Sequence, residues 1–373
     1  MSVMDDATTC ELLHEGGEAF IYKVKAGGKP YILKWYAKNS KFDASVIDKL
    51  RSVRIPGIYH VVEAGEKAGR DYLLYDFVDG VSAAELDRLP VAVAISVVRN
   101  IAKALAALAK NGVHHGDLNP ANVVLGLDGN PTLIDCGIVG PGALAYAALE
   151  RFQGKTADTQ SDIYSLGLLL YRLVVGEDLL VGDSYEGFAQ AAAEIDKLDP
   201  TTVLYGKGIP AETLSALAPV WKASLRANAS ERAEDLEEFD EILEIAFNSL
   251  SGGSVAWETA RADFVQSLVA KNGTKCNDSL SGNVLPPEFV VMKPTKRKKI
   301  AVFVGGGVLI LLVLVYFFAL LPKEPSIDET GEEILLNSRS IDASIGISND
   351  TVDDSAHVSD EILEELPIPE RSE

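Results

Sequence analysis

The sequence predicts an α+β chain of two lobes, the first small and β-rich and the second helical, followed by one transmembrane helix. Short runs of β-branched and aromatic residues occupy the N-terminal part, long helical patterns follow from Pro90, and an uncharged apolar run lies near the C-terminus. The predicted boundaries are 1–75 and 76–250 for the lobes, 251–299 for a linker, 300–321 for the membrane span and 322–373 for a tail.

Charge and hydropathy are unevenly distributed along the chain. Its 373 residues include 34 Lys plus Arg and 55 Asp plus Glu, a net charge of −21, yet the mean hydropathy is +0.11. This acidity argues against a nucleic-acid partner, because binding to a phosphate backbone needs a basic surface. Cys10, Cys136 and Cys276 form no CxxC pair, which excludes a disulfide scaffold and predicts reduced, cytosolic thiols.

Three strand patterns define the predicted first lobe. They are Phe20–Val24, Lys29–Tyr36 and Asp71–Val78. Gly27-Gly28 is typical of a hairpin turn between the first two strands. Between the second and third, the spacing of apolar residues predicts a helix over Asp43–Val53. The second lobe begins with a long apolar helical pattern after Pro90, and Gly112 is typical of its C-cap.

Oxygen-bearing side chains cluster in two short segments at the junction of the lobes. In HGDLNPAN, Asp117 and Asn122 lie five residues apart, and Asp135 of IDCG follows thirteen residues later. Carboxylate and amide oxygens can hold a divalent metal, while one carboxylate faces an incoming hydroxyl. Lys34, inside an apolar strand, could either snorkel at the sheet edge or bind an anion.

Together these segments resemble the eukaryotic-type (Hanks-type) serine/threonine protein kinases, particularly their membrane-anchored bacterial members. HGDLNPANV resembles the catalytic loop H-R-D-L-x-x-x-N, IDCGI resembles the D-F-G segment, and YILK resembles the V-A-I-K strand. SDIYSLG, which contains Asp162, resembles the start of the family's αF helix. Ala148-Leu149-Glu150 resembles A-P-E, and Arg232 resembles the arginine that pairs with that glutamate. The resemblance runs from about Cys10 to about Leu250 and implies the bilobal kinase fold.

The resemblance also implies a role for each matching residue. Lys34 would hold the α and β phosphates of ATP, and Asp135 and Asn122 would bind Mg²⁺ or Mn²⁺. Asp117 would orient the substrate hydroxyl and accept its proton. The other implied nucleotide-binding residues are Gly16, Gly17, Ala19 and Ile21 in the phosphate loop and Asp76 and Val78 in the hinge, with Tyr75 limiting access to the pocket.

Several positions differ from the family pattern on the nucleotide side. The phosphate loop keeps only the middle glycine of G-x-G-x-x-G, and Ala19 stands in the third place. Asp43 is expected to be the αC carboxylate that pairs with Lys34, with Asp48 as the other candidate. The loop is therefore weakened but usable, and the partner of Lys34 stays open.

Other differences concern the reacting groups and activation. Asn119, which we assign to the catalytic residues by its position, and Ala143 replace a lysine and a threonine of the Ser/Thr members. Gly116 replaces the arginine of H-R-D, and the segment from Ile138 to Leu149 has no serine or threonine. Activation by phosphorylation of this segment is not expected. The losses are compatible with a different substrate class or with a pseudokinase.

We therefore predict a kinase that transfers the γ-phosphoryl group of ATP to Ser/Thr hydroxyls of proteins in signalling. The alternatives are an ATP-binding pseudokinase scaffold and a small-molecule phosphotransferase. Retention of Lys34, Asp117, Asn122 and Asp135 together favours activity, because a scaffold needs neither the metal ligands nor the base.

A membrane anchor is predicted near the C-terminus. Ile300–Leu321 has 22 residues without a charge. At about 1.5 Å rise per residue it would form a helix of about 33 Å, enough to cross a hydrocarbon core of about 30 Å. Five basic residues precede this span (Lys293, Lys296, Arg297, Lys298, Lys299) and two follow it (Lys323, Arg339). The positive-inside rule therefore predicts a single-pass protein of the plasma (inner) membrane with a cytoplasmic kinase part.

The flanking segments are predicted to lack a core of their own. The linker 251–299 has one short helical pattern, Trp257–Lys271, and the tail has 15 Asp plus Glu among 52 residues. The tail is thus expected to be acidic, disordered and extracytoplasmic. In the span, Ala301 and Gly305 form a small-xxx-small pair that could support a homodimer, although small residues facing lipid explain the pattern equally well.

Overall fold

The first lobe is built on a five-stranded antiparallel sheet. A computed structural model of the chain describes residues 2–38, 42–137, 142–250 and 254–278. The strands of the sheet are β1 (Ala7–Glu15), β2 (Ala19–Ala26), β3 (Lys29–Tyr36), β4 (Val61–Lys67) and β5 (Arg70–Asp76). Their spatial order is β1-β2-β3-β5-β4, so β3, which carries Lys34, lies in the middle. The turn predicted at Gly27-Gly28 joins β2 to β3.

Both faces of this sheet bury apolar side chains. On one face Met4, from a short 3₁₀ turn at the N-terminus, packs with Cys10, Trp35 and Tyr72 in a small core. The alternating residue Leu73 points to the opposite face and joins the main core. The N-terminal residues therefore belong to the first lobe and cover part of its sheet.

One short helix, α1 (Ala44–Ser52), packs beside the sheet. Asp43 is its N-cap: the carboxylate accepts hydrogen bonds from the backbone N–H groups of Ser45 at 2.8 Å and Val46 at 3.3 Å. Ile47 and Leu50 are the buried residues of the helix. The helix was predicted from the same apolar spacing, with Asp43 inside it, whereas the structure has Asp43 at the cap.

Helices and a small sheet form the second lobe. The sheet contains β6 (Gly80–Ser82), β7 (Val123–Gly126) and β8 (Pro131–Leu133) in that spatial order. The helices are α2 (Val91–Lys110), α3 (Leu149–Phe152), α4 (Thr159–Val175), α5 (Tyr185–Ala193), α6 (Pro200–Tyr205), α7 (Ala211–Ser224) and α8 (Leu236–Leu250). Asp158 caps α4 and Gly176 ends it, and α4 is buried along most of its length. The second lobe thus contributes most of the main core, which continues into the first lobe through residues such as Leu73.

The chain after Leu250 continues into a further helix, α9 (Ser254–Asp278). Phe264 and Leu268 are buried in the main core. The Arg261 guanidinium donates a hydrogen bond to the carbonyl oxygen of Asp128 at 3.2 Å. We predicted here a flexible linker with a short helix; the structure has a longer helix that packs on the second lobe.

One described helix is long and apolar enough to cross a membrane by length and composition alone. It is the stretch Val91–Ala109 of α2, of which 56% is buried within the protein. A core helix of a globular lobe has the same length and composition, so these two properties do not assign this stretch to a membrane. The predicted span 300–321, the basic residues before it and the tail 322–373 lie outside the described residues.

Candidate active site

Asp117, the predicted catalytic-loop aspartate, is held by three uncharged donors. Its Oδ1 accepts hydrogen bonds from the side-chain amide of Asn119 at 3.0 Å and from the backbone N–H of Ala143 at 2.6 Å. Its Oδ2 accepts from the side-chain amide of Asn122 at 3.0 Å. The carboxylate is therefore fixed by neutral groups at the two positions, Asn119 and Ala143, where the family pattern has a lysine and a threonine.

A glycine permits the contact between Asp117 and the segment that crosses it. A Cβ atom on Gly142 would lie 2.5 Å from Oδ1 of Asp117, and Gly142 has φ of 72°. Because this position has no side chain, the backbone comes close enough for the N–H of Ala143 to reach the carboxylate. The sequence does not reveal this donor, because a backbone N–H leaves no mark in the residue type.

Buried polar residues hold the catalytic loop in place. The carboxylate of Asp162, on α4, accepts hydrogen bonds from the backbone N–H groups of His115 at 3.0 Å and Gly116 at 3.2 Å. His115 accepts from the N–H of Asp117 through Nδ1 and faces the carbonyl oxygen of Ile134 with Nε2. Burial lowers the pKa of His115, which favours the neutral ring, and burial raises the pKa of Asp162.

The second aspartate, Asp135, follows β8 and faces Lys34. The Lys34 ammonium lies 2.8 Å from Oδ1 of Asp135. The hydroxyl of Tyr59 donates a hydrogen bond to the same oxygen at 3.3 Å. Asp135 has φ of 57°, a left-handed conformation that few residues other than glycine adopt. The side chain is thus held on one oxygen by two groups of the first lobe.

The prediction that Asp43 pairs with Lys34 is wrong in this structure. The carboxylate of Asp43 is used to cap α1, and hydrogen bonds from the side chain and backbone of Ser45 hold its pKa below the ordinary value. Asp48, the alternative, is exposed. α1 presents Val46 to the IDCG segment instead: a Cβ on Gly137 would lie 2.4 Å from the Val46 side chain.

The predicted phosphate loop forms the turn between β1 and β2. Gly16 and Gly17 form this turn, and the N–H of Gly16 donates to the carbonyl oxygen of Ala19 at 3.0 Å. On β2, Ile21 is paired directly with Lys34 on β3. The structure therefore brings the loop and the lysine to the same end of the sheet.

The expected hinge residues lie at the end of β5. Asp76 is the last residue of the strand and forms an exposed ion pair with Arg54 at 3.2 Å. Val78 follows two residues later and is partly buried. The preceding residue, Tyr75, stacks on Tyr59 with ring centroids 3.8 Å apart. Burial raises the pKa of both tyrosines well above the ordinary value.

Tyr59 is a site residue that the sequence analysis missed. It lies between α1 and β4, in the stretch IYHVV, and no motif distinguishes it there from a core residue. Its contact with Asp135 joins positions 76 residues apart in the chain. Such a contact follows from the packing of the two lobes and is not encoded in local sequence.

A buried ion pair anchors the second lobe below the catalytic loop. Arg232 donates to both carboxylate oxygens of Glu150, at 2.6 and 3.0 Å. The remaining guanidinium hydrogen bonds go to the carbonyl oxygens of Arg226, Gln160 and Ala227. The structure therefore brings together the two residues that the resemblance paired, and the buried charges are fully hydrogen-bonded.

The side chains at the site fit Mg²⁺ held jointly with phosphates. Within the described residues no group of three or more His, Cys, Asp and Glu could hold a metal by itself. The oxygen donors are Oδ2 of Asp135 and the amide oxygen of Asn122, to which no described residue donates a hydrogen bond. Mg²⁺ is typically coordinated by one or two protein oxygens, and phosphates and water supply its other ligands.

The model of the protein kinase domain matches residues 9–236, more than half of the chain. The chain belongs to the protein kinase domain family. The fold agrees with this: the crystal structure of the Mycobacterium tuberculosis PknI kinase domain matches with a TM-score of 0.50 and 22% identity, over 66% of this chain and 99% of that chain. The first lobe, the second lobe and the cleft between them are those of a bilobal kinase domain.

Similar proteins are bacterial serine/threonine-protein kinases. The kinase domain is 31% identical over 202 residues to the DNA damage-responsive kinase RqkA of Deinococcus radiodurans, covering 46% of this chain and 30% of that one. It is 26% identical over 221 residues to PknL of Mycobacterium tuberculosis, covering 54% and 55%. The match to a probable kinase of Clostridium perfringens, 29% identical over 199 residues, covers 46% and 29%. The chain thus spans between about a third and about half of these relatives.

Proposed function

We propose that this chain is a membrane-anchored protein kinase that transfers the γ-phosphoryl group of ATP to serine or threonine hydroxyls of proteins. The observation that carries the proposal is the pairing of four side chains at the cleft, one pair between the lobes and one within the catalytic loop. Lys34 contacts Asp135 at 2.8 Å, and Asn122 donates to Asp117 at 3.0 Å. This combination supplies a cation for phosphates, oxygen ligands for a metal and a carboxylate for the acceptor hydroxyl.

On the nucleotide side, the residues of the first lobe would bind and orient ATP. Lys34 would contact the α and β phosphates, and the backbone of Gly16 and Gly17 would approach the phosphates closely because neither residue has a side chain. Asp135 and Asn122 would hold Mg²⁺ or Mn²⁺. When bound, the metal would neutralise charge on the phosphates.

On the acceptor side, Asp117 would orient the substrate hydroxyl and accept its proton. Its three neutral hydrogen-bond donors fix the direction of the carboxylate without adding a formal positive charge. A carboxylate held in this way stays an acceptor, and a fixed direction favours the near-attack arrangement that phosphoryl transfer needs. Asn119 would act as a positioning residue for the base in place of the family's lysine.

Phosphoryl transfer can be tested on the full chain in detergent with labelled Mg-ATP and a generic protein substrate. We expect metal-dependent label on the chain or the substrate, and a loss of about 10²-fold or more in Asp117→Asn and Asp135→Asn. Nucleotide binding without transfer would favour the pseudokinase. ATP consumption that needs a small metabolite would favour the small-molecule phosphotransferase.

The membrane anchor is supported by the uncharged run 300–321 and by the excess of basic residues before it. A reporter enzyme that is active only outside the cytoplasm should be active when it is fused to the C-terminus. The matched control carries the same reporter at the N-terminus, where it should be inactive. An inactive C-terminal fusion would contradict the proposed topology.

A further inference from the structure

The ion pair of Lys34 and Asp135 lies in aromatic surroundings. Within the described residues no carboxylate of α1 pairs with Lys34, because Asp43 caps the helix and Asp48 is exposed. The neighbouring groups are rings instead: the Tyr36 ring centroid lies 5.6 Å from the Lys34 ammonium. Side chains outside α1 must therefore hold Lys34 and Asp135 in position.

Tyr59 is bound to the Asp135 segment through its side chain and its backbone. The hydroxyl donates to Oδ1 of Asp135 at 3.3 Å, and the backbone N–H donates to the carbonyl oxygen of Leu133 at 3.0 Å. Leu133 ends β8, two residues before Asp135. The position of the hydroxyl is thus fixed relative to the strand that carries the aspartate.

The ring of Tyr59 is also held rigidly. It stacks on Tyr75 with centroids 3.8 Å apart and an interplanar angle of 15°, and both side chains are buried. Stacked, buried rings have little rotamer freedom, so the hydroxyl oxygen keeps a fixed position. That position is within hydrogen-bond distance of Oδ1 of Asp135, the oxygen that also contacts Lys34.

Asp135 needs such support because its backbone is in the left-handed region, with φ of 57°. Residues in sparsely populated conformations persist where the surrounding structure holds them. With Lys34 and Tyr59 both on Oδ1, the other oxygen, Oδ2, accepts no hydrogen bond from any described residue. Oδ1 is thus the oxygen that orients the Asp135 side chain, and Oδ2 is left to bind a metal.

We propose that Tyr59 is a positioning residue that orients Asp135 for metal binding, in place of a carboxylate on α1. The inference rests on the proposed kinase function for the identity of the metal and the nucleotide. It goes beyond that function because it assigns a role to a residue outside the kinase motifs and explains how the cleft is organised when α1 supplies no acidic partner for Lys34.

The test is Tyr59→Phe, which removes one hydroxyl and keeps the stacked ring. Mn²⁺ affinity is measured for the full chain saturated with a non-hydrolysable ATP analogue, beside the affinity for the same analogue without metal. We expect the Mn²⁺ affinity to fall about 10-fold or more, the usual effect of removing a group that orients a metal ligand. The metal-free affinity should change less than about 2-fold, because Lys34 is untouched.

Tyr36→Phe is the matched control, because it removes a hydroxyl from a neighbouring buried ring that donates no hydrogen bond to Asp135. It should leave the Mn²⁺ affinity unchanged. In Tyr59→Phe, the Mg²⁺ concentration for half-maximal transfer should rise while the rate at saturating Mg²⁺ recovers, which a general packing defect would not produce. The melting temperature without ligands reports whether either variant is misfolded.

Two results would overturn the inference while leaving the proposed function intact. In one, Tyr59→Phe binds Mn²⁺ as the wild type does. In the other, Tyr36→Phe loses the same affinity, which would mean that packing and not the hydroxyl is responsible. If the wild-type chain showed no metal-dependent nucleotide binding, the proposed function and the inference would fail together.

Discussion

The two lobes hold their halves of the cleft by different means. On the side of the second lobe, Asp117 lies in a loop fixed by the buried carboxylate of Asp162, and a bidentate pair joins Glu150 to Arg232. On the side of the first lobe, Lys34 is held by Asp135 across the cleft and by aromatic neighbours. The second lobe relies on buried charge, and the first on packing and one shared oxygen.

This difference shows which family features are needed by the backbone itself. Asp162 accepts two main-chain N–H groups that would otherwise be buried without a partner, so the loop depends on that residue type. Lys34 needs only an anion within reach, and different elements can supply one. Asp162 is therefore retained in the second lobe, whereas the carboxylate expected on α1 in the first lobe is replaced by Asp135 as the partner of Lys34.

The largest effect is expected from a substitution that breaks the buried ion pair of Glu150 and Arg232 in the second lobe. Glu150→Gln would leave the Arg232 guanidinium, whose side chain is 0% exposed, without a counter-charge. We expect a loss of about 3–5 kcal/mol in the free energy of unfolding. Chemical denaturation measures it. Glu244→Gln, which breaks a pair of Arg99 with a 54% exposed carboxylate, is the control and should cost less than about 1 kcal/mol. Equal losses would contradict the comparison.

The second prediction tests whether α9 unfolds together with the second lobe. Leu268 of α9 is 0% exposed, so Leu268→Ala should lower the free energy of unfolding by about 3 kcal/mol in the same cooperative transition as the lobe. Val269→Ala, at a 50% exposed neighbour on the same helix, should change it by less than about 0.5 kcal/mol. A separate, early transition in Leu268→Ala would mean that α9 is not part of the lobe.

The smallest expected effect concerns Asp43 in the first lobe. Asp43→Ala removes the cap of α1 and should lower stability slightly, whereas Asp43→Asn should keep the cap, because asparagine is an equally good N-cap. Neither should change nucleotide affinity, measured by titration with an ATP analogue. A matched loss of affinity in both variants would restore Asp43 as the partner of Lys34.

The same residue predicts a pH dependence with a definite sign. Because hydrogen bonds from Ser45 lower its pKa in the folded chain, ionised Asp43 stabilises the fold fully above the unfolded pKa of about 3.9. That contribution is lost as the pH falls through the lower folded value. This pH-dependent contribution should be absent in Asp43→Asn. The difference in melting temperature between the wild type and Asp43→Asn should therefore shrink only in acid.

Much of the fold could be predicted from local patterns. The strands around Gly27-Gly28, α1 and the helix after Pro90 follow from apolar spacing and turn residues, and the structure confirms them. The length of α9 could not be predicted from composition. Its Gly, Asn and Thr residues resemble a linker, but Phe264 and Leu268 gain enough burial in the core to stabilise the helix.

The amino-acid sequence by itself determined the order of elements and the residue types at the cleft: Lys34, Asp117, Asn122 and Asp135. Only the tertiary structure decided which groups hold them. Tyr59 reaches Asp135, and the N–H of Ala143 reaches Asp117, through contacts between distant segments. The physical reason is that motif spacing reports local geometry, whereas a hydrogen-bond partner can be any donor that packing brings within about 3 Å, including a backbone N–H.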